Sequence, residues 1–355
     1  MLKMMSCGLV LWSAACVFAE EPRLFRLDPV ELIGGREVEG KPEFEVTGEG
    51  FNYRFISEES QAAFLKEPAR YRIQLDGACA RMGPLGAFGN PDIWAVHGGK
   101  LYVFRTAQCR TTFLAQPDRF VHQAAHHEIA NAAAREEGAR LVARAVDFAG
   151  GPERIRAMHS WKFVMRGERV HEGKKQQQCR TWHYTDDGRY RVDDVWDDWR
   201  AIVVLNAEKG YVQGDFSRPL FSAGQAELRR QRSRNYLSVL SASLRPGFVA
   251  ERIGETARDG GAVQHVRVVW DDAEIVLGVE DANGRIRFIH YEAQIDWSGL
   301  GTVIEEFEDY RDVRGVRVPF VSRVLLQQKE VPSMYRKFSE IVIDNSVSND
   351  AFQVP

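Results

Sequence analysis

The sequence has no long hydrophobic run. Its most apolar stretch, Gly8 to Ala19, is about a dozen residues, against about 20 needed for a helix to span a bilayer. It has no excess of one charge either: 47 Lys and Arg face 50 Asp and Glu, a net charge of −3. Nucleic acid is therefore not expected as a partner, since its binders carry a basic excess. Cysteine is scarce, five in 355 residues, which excludes a scaffold built from disulfides. The Gly-x-Ser-x-Gly elbow, the Walker A loop, the Rossmann glycine fingerprint and His-Glu-x-x-His are all missing. A nucleophile and base could be imagined in Cys109 and His97, but nothing in the pattern supplies a third group to orient them. The expectation is a binding protein and not an enzyme. The remaining composition, 44% hydrophobic and 27% charged, is that of a globular chain of two or three domains.

The first residues read as an export signal. Lys3 precedes the apolar run, small residues end it at Val17-Phe18-Ala19, and Glu20-Glu21-Pro22 follows. Cleavage is expected after Ala19, giving an exported protein, periplasmic or secreted. Ser13-Ala14-Ala15-Cys16 is a weak lipidation motif, because the position three before the cysteine is not aliphatic; a lipid-anchored form is the lesser alternative. Cys7 and Cys16 leave with residues 1–19, so Cys79, Cys109 and Cys179 remain.

A duplication follows. Tyr53-Arg-Phe-Ile-Ser-x6-Phe64-Leu-x2-Pro68-x-Arg-Tyr71 matches Tyr102-Val-Phe-Arg-Thr-x6-Phe113-Leu-x2-Pro117-x-Arg-Phe120 at a constant offset of 49, which also pairs Gly40 with Gly89 and Pro42 with Pro91. Each copy reads as a β–β–α unit: a strand around Phe44 or Trp94, a glycine turn, a second strand on Tyr-x-Phe, then a helix capped by Ser57 or Thr106 and stopped by Pro68 or Pro117. This pattern, with Asp28-Pro29-Val30 ahead of it, resembles the YHS domain. The resemblance covers residues 24–121, as copies 24–71 and 73–121. Metal-associated YHS modules carry Cys after Asp-Pro-Val and Cys-x3-Cys at the strand-to-helix turn. Here the first copy has Glu31, Ile56 and Ser60 at those places, and the second has Ala80, Arg105 and Cys109, with Cys79 one residue displaced.

Both cysteines of the second copy replace non-cysteines of the first, Val30 and Ser60, so the two are expected to be neighbours. In an exported protein a Cys79–Cys109 disulfide is the first expectation. A copper or zinc site is the alternative, with Cys79, Cys109, His97, His122 and His126 as ligands; His122 and His126 share a helix face at i, i+4. A polar linker that happens to contain histidine competes with that reading.

Residues 122–150 are Ala-rich and predict a linker helix, single or broken near Gly138, with Leu141, Val142, Ala145 and Val146 on its apolar stripe. From Trp161 onward about ten alternating segments, joined by turn signals such as Asp187-Gly188 and Asn283-Gly284, predict a large antiparallel sheet interrupted by one helix at Ala223 to Leu244. A helix, sheet, inserted helix and further sheet, with Asp309-Tyr-Arg-Asp-Val-Arg-Gly-Val-Arg-Val-Pro319 and a closing Phe352-Gln-Val-Pro355, resemble the LolA/LolB-like lipoprotein-carrier superfamily over residues 140–355. The fold class expected is thus α+β: a duplicated N-terminal module, and over residues 151–355 a half-open β-barrel around helices. The resemblance implies a lipid or other apolar ligand, and Trp161, Phe163, Trp182, Tyr184, Val203, Leu205, Val276 and Phe288 are the candidate cavity residues. The run Arg229-Arg-Gln-Arg-Ser-Arg234 reads as a solvated helix face, with anionic head groups as the alternative. Asp193, Asp194, Asp197 and Asp198 read as a strand end and turn, with calcium as the alternative. A membrane-associated protein partner completes the expectations.

Overall fold

The computed structural model describes residues 21–121, 131–171, 174–197, 199–258, 261–271, 273–295, 299–326, 329–330, 335–344 and 349–353. The signal-like segment, His122 and His126 lie outside them.

The chain begins with β1 (Arg23–Phe25), α1 (Pro29–Ile33), β2 (Lys41–Gly48), β3 (Phe51–Phe55), α2 (Glu58–Lys66) and α3 (Pro68–Tyr71), followed by β4 (Asn90–His97), β5 (Lys100–Phe104) and α4 (Ala107–Ala115). β2, β3 and α2 recur as β4, β5 and α4 with every boundary displaced by 49 residues. The irregularity in the first hairpin, between Lys41 and Glu45, returns between Asn90 and Trp94. Ser57 caps α2 by accepting from the Ser60 N–H, and Thr106 caps α4 by accepting from the Cys109 N–H. The equivalent glycines are needed for one reason: a Cβ on Gly40 would lie 2.3 Å from the Arg54 carbonyl carbon, and one on Gly89 would lie 2.6 Å from the Val103 side chain. Each copy buries its helix phenylalanine against its strand aromatics. Phe64 sits 5.0 and 5.1 Å from Tyr53 and Phe55, and Phe113 sits 5.2 and 5.1 Å from Tyr102 and Phe104.

α5 (Ala132–Ala149) runs unbroken through Gly138, where a Cβ would meet the Glu251 backbone at 2.6 Å, and buries Leu141, Val142, Ala145 and Val146. After α6 (Pro152–Arg156) come β6 (Ser160–His171), β7 (Lys174–Thr185), β8 (Tyr190–Trp196), β9 (Trp199–Leu205), β10 (Gly210–Gln213) and β11 (Ser217–Leu220). Two helices follow, α7 (Ser222–Ser233) and α8 (Tyr236–Ser243). The chain then adds β12 (Val249–Arg258), β13 (Gly261–Trp270), β14 (Ala273–Glu280), β15 (Ile286–Gln294), β16 (Leu300–Val313), β17 (Val316–Leu326), β18 (Lys329–Glu330) and β19 (Arg336–Ile343). The main sheet has the order β11-β10-β9-β8-β7-β6-β19-β17-β16-β15-β14-β13-β12, antiparallel throughout, with β18 appended to β17. It is two meanders of six strands joined by β19, which pairs with both β6 and β17.

Among the described residues the sheet is open, with β11 and β12 as its edges, and does not close into a barrel. It curls nonetheless, because α7 touches β9, β10 and β11 near one edge and β14 near the other. The chain crosses from edge to edge through α7 and α8, so these helices lie in the hollow. α5 packs on β12 and also reaches β17. One core cluster joins α5, α6, α7 and α8 to strands from both meanders.

Two details differ from the sequence expectation. The inserted helix is broken at Asn235, whose side chain accepts from the Leu237 and Ser238 N–H groups and starts α8. β11 and β12 escape a hydrophobic pattern because they are edges: Pro219 is tolerated there, and Glu251, Arg252 and Glu255 give β12 the charge that edges use against further pairing.

The repeat is keyed to the larger sheet at two buried charges. Asp76 accepts from the Ala223 and Gly224 N–H groups at 3.1 and 2.8 Å and from the Ser222 hydroxyl at 3.2 Å, capping α7 from outside its own segment. Arg218 of β11, 1% exposed, donates to the Gly86 carbonyl at 2.8 Å and to Pro84, and lies over the Phe88 ring.

Candidate ligand cavity and thiol pair

A cavity of about 260 Å³ opens between α7, α8 and the inner face of the sheet. Its wall is aromatic. β6 contributes Phe163, β7 contributes Trp182 and Tyr184, and β8 contributes Tyr190. Tyr291 comes from β15, Phe307 from β16, Phe338 from β19 and Tyr236 from α8. The rings brace one another, with Phe163 and Phe338 5.0 Å apart, Tyr184 and Tyr190 5.2 Å, and Tyr236 and Phe307 5.7 Å. Burial pushes the Tyr190 phenol up to about 12 and Tyr184 well above its ordinary value, so all of these tyrosines are neutral at physiological pH.

Charged groups also face the space: Arg180, Arg234, Arg336 and Glu305. Arg336 donates to Glu305 at 2.9 Å, and Glu305 further accepts from the hydroxyls of Ser322 and Tyr291. Arg234 lies 3.5 Å from Glu227, donates to the Glu292 carbonyl at 2.8 Å and rests over the Tyr291 ring. Arg180 stacks over Trp182, with Asp194 3.8 Å away. Burial pulls its guanidinium below the ordinary value, with Asp194 opposing.

Of the cavity residues expected from sequence, Phe163, Trp182 and Tyr184 line the space. Trp161 stands behind them, stacked on Tyr184 and donating to Asn235 at 3.1 Å. Leu205 is packed core, and Val203 is half-buried against it. Val276 and Phe288 lie on the other face of the sheet: Phe288 covers Gly278, where a Cβ would meet its ring at 2.1 Å. The arginines were missed, although Arg180 shares the period-2 face of Trp182 and Tyr184, and that alternation was the available signal.

The arginine run is not a solvated face. Arg232 is 3% exposed and reaches Asp271 and the Thr185 carbonyl, while Arg230 and Arg234 pair with Glu227. A helix enclosed by a curled sheet has little outer face to offer. Asp193 and Asp194 point to opposite sides of β8, the first to Arg191 and Arg200, the second to Gln178 and Trp196, and Asp197 makes the turn to β9. Asp198 lies outside the described residues.

In the repeat, Cys79 and Cys109 are neighbours but free thiols, so the expected disulfide is corrected. Each sulfur is engaged by hydrogen-bond donors. The Arg105 N–H faces Cys79, while the Thr106 hydroxyl (3.3 Å), the Arg81 side chain and Cys79 itself face Cys109. Burial raises the Cys79 thiol. At Cys109 burial is outweighed by those donors and the thiol is lowered, consistent with its seat in the first turn of α4. His97 stands apart, edge-on to Phe113 and 3.6 Å from Asp118. Among the described residues no group of three metal-ligating side chains converges.

No family model matches the sequence, and no curated protein does. Similar solved structures include a DUF1329 family protein from Desulfovibrio piger ATCC 29098, at 12% identity over 62% of this chain and 97% of that one, with a TM-score of 0.41. A putative outer membrane lipoprotein-sorting protein domain from Vibrio parahaemolyticus is 8% identical over 62% and 97%, with a TM-score of 0.39. The LolA superfamily protein NE2245 from Nitrosomonas europaea is 11% identical over 61% and 98%, with a TM-score of 0.40.

Proposed function

We propose that this chain is an exported binding protein that holds a lipid-like molecule between the curled sheet and α7–α8, with the N-terminal repeat as an accessory module. The observation that carries the reading is the aromatic cavity, lined from both meanders and from the helices that link their edges. Small-molecule sites are usually concave and combine aromatic or apolar walls with placed polar groups; here the rings share the lining with Arg180, Arg234, Arg336 and Glu305. Export rests on the signal-like residues 1–19, and with it a periplasmic or secreted location. The test is organic extraction and mass spectrometry of the full chain purified from an exporting host. A lipid-like species in near-stoichiometric amount is expected; a clean extract, together with no uptake of added acyl probes, overturns the reading.

A second reading, copper or zinc binding and delivery through the second copy, has the adjacent thiols of Cys79 and Cys109 in its favour. The described residues supply two sulfurs and place the Arg81 cation against one of them, so they make an incomplete donor set. Metal retained by the reduced protein and lost in Cys79→Ser would carry this reading; its absence from reduced wild-type protein incubated with copper(I) or zinc would end it.

A further inference from the structure

The charges facing the cavity do not cancel. Three guanidinium groups meet one carboxylate. Glu305 is fully engaged by Arg336, Ser322 and Tyr291, and Arg234 has both a carboxylate and a backbone carbonyl. Arg180 differs. Its nearest acid is Asp194 at 3.8 Å, beyond hydrogen-bond reach, and the Asp194 Oδ1 is already taken by Gln178 and Trp196 at 2.8 and 2.7 Å. The Arg180 Nε is sealed from solvent without a hydrogen-bond partner among the described residues, while 39% of the side chain remains accessible in the cavity it lines.

A guanidinium offers five N–H donors, and leaving such donors unmet in a partly desolvated site is costly. An oxyanion meets that demand best, because charge-assisted bonds to a guanidinium form in pairs and are about twice as strong as neutral ones. Beside Arg180 the wall turns apolar, with the Phe338 ring against both Phe163 and Trp182. The volume of about 260 Å³ falls below the roughly 300–1,000 Å³ of typical small-molecule sites, so the space suits one chain and not two.

We propose that the cavity takes a single-chain amphiphile whose oxyanionic head, a carboxylate or a phosphate monoester, is bound by Arg180 while its apolar chain lies against Phe163, Trp182 and Phe338. The inference rests on the cavity being a ligand site, and it adds the chemistry of the head group.

The experiment is calorimetric titration of the full chain, freed of ligand, with laurate, dodecyl phosphate and dodecanol, which share a chain and differ in the head. At least one of the two anions is expected to bind about tenfold or more tightly than dodecanol, with the tighter anion naming the head. Arg180→Gln should bring the anions to the level of dodecanol and leave dodecanol unchanged, and Arg180→Lys should recover part of the difference. Equal affinity for all three probes, or an equal loss for all three in Arg180→Gln, overturns the head-group assignment and leaves the cavity reading standing. Failure of every probe to bind overturns both. Should the glutamine variant not fold, the wild-type comparison of anion with alcohol still decides.

Discussion

The two copies of the N-terminal repeat solve one structural problem with different chemistry. In the first copy the buried Asp28 accepts from the Val30, Glu31 and Ile56 N–H groups and from the Ser60 hydroxyl at 2.6 Å, tying the opening turn to the start of α2. The second copy has Gly77 at the place of Asp28. Cys79 takes over the role: it receives the Arg105 N–H, equivalent to Ile56, and faces Cys109, equivalent to Ser60. A carboxylate and a hydroxyl have become two thiols. A buried acid of the second copy, Asp76, instead reaches across to cap α7 beside the large sheet. The polar anchor of one copy is internal to it, while an acid of the other serves the joint with the large sheet, to which the first copy adds Glu49, accepting from the Ser222 hydroxyl at 3.2 Å. A duplicated scaffold can therefore keep its backbone while its polar anchor is reassigned to a neighbour.

The sharpest way to break this comparison is at the internal anchor. Asp28→Ala would strip four donors of their acceptor at a site with no exposure, and a destabilisation of about 3–5 kcal/mol is expected. It would be read as lost hydrogen-exchange protection of the β3 amides, with a smaller loss in β5, whose Leu101 and Val103 share that core cluster. Gly77→Ala attacks the joint. The residue has φ +71, and a Cβ there would lie 2.0 Å from the Phe51 ring of the first copy. A loss of about 2–4 kcal/mol is expected, now affecting both copies. Asp76→Ala removes a cap and no core atoms, so about 1–2 kcal/mol is expected, seen as faster exchange at the start of α7 and little change in β2 and β3. If Asp76→Ala instead unfolded the first copy, the division between an internal anchor and a joint would be wrong.

The repeat was the most legible part of the sequence, because period-2 alternation, a cap residue and a proline stop recur in register. The strands of the sheet were legible for the same reason wherever one face is apolar. Its edges were not, because β11 and β12 carry the proline and charge that edges use. The cavity was half legible. Aromatic alternation found Phe163, Trp182 and Tyr184, but the same pattern gives no sign of which face is concave, so Val276 and Phe288 were placed with them. Arg180 and Arg336 resist a hydrophobicity reading because they are cations on an inner face, and only their register with Trp182 and Phe338 betrays them. Proximity of Cys79 and Cys109 followed from the paired exchange against Val30 and Ser60. Their state did not, since it depends on Arg81 and on donors that spacing alone cannot place.

The smallest expected effect is the most specific to that exchange. Cys109 is lowered because the donors of Thr106, Arg81 and Cys79 outweigh its burial, whereas Cys79 is raised by burial. A lowered thiol is ionised at lower pH, so the rate of iodoacetamide labelling at Cys109 should reach half its maximum below the ordinary thiol value of about 8.5. Cys79, with no exposed surface, should label only on unfolding. Arg81→Gln should move the Cys109 midpoint upward, and Cys79→Ala should do the same by removing a donor. Thermal stability should change little in Arg81→Gln, which separates an electrostatic role from a packing one. A Cys109 midpoint at or above the ordinary value, unmoved by Arg81→Gln, would mean that the thiols merely fill the space left by the carboxylate and the hydroxyl. The second copy would then differ from the first in packing alone.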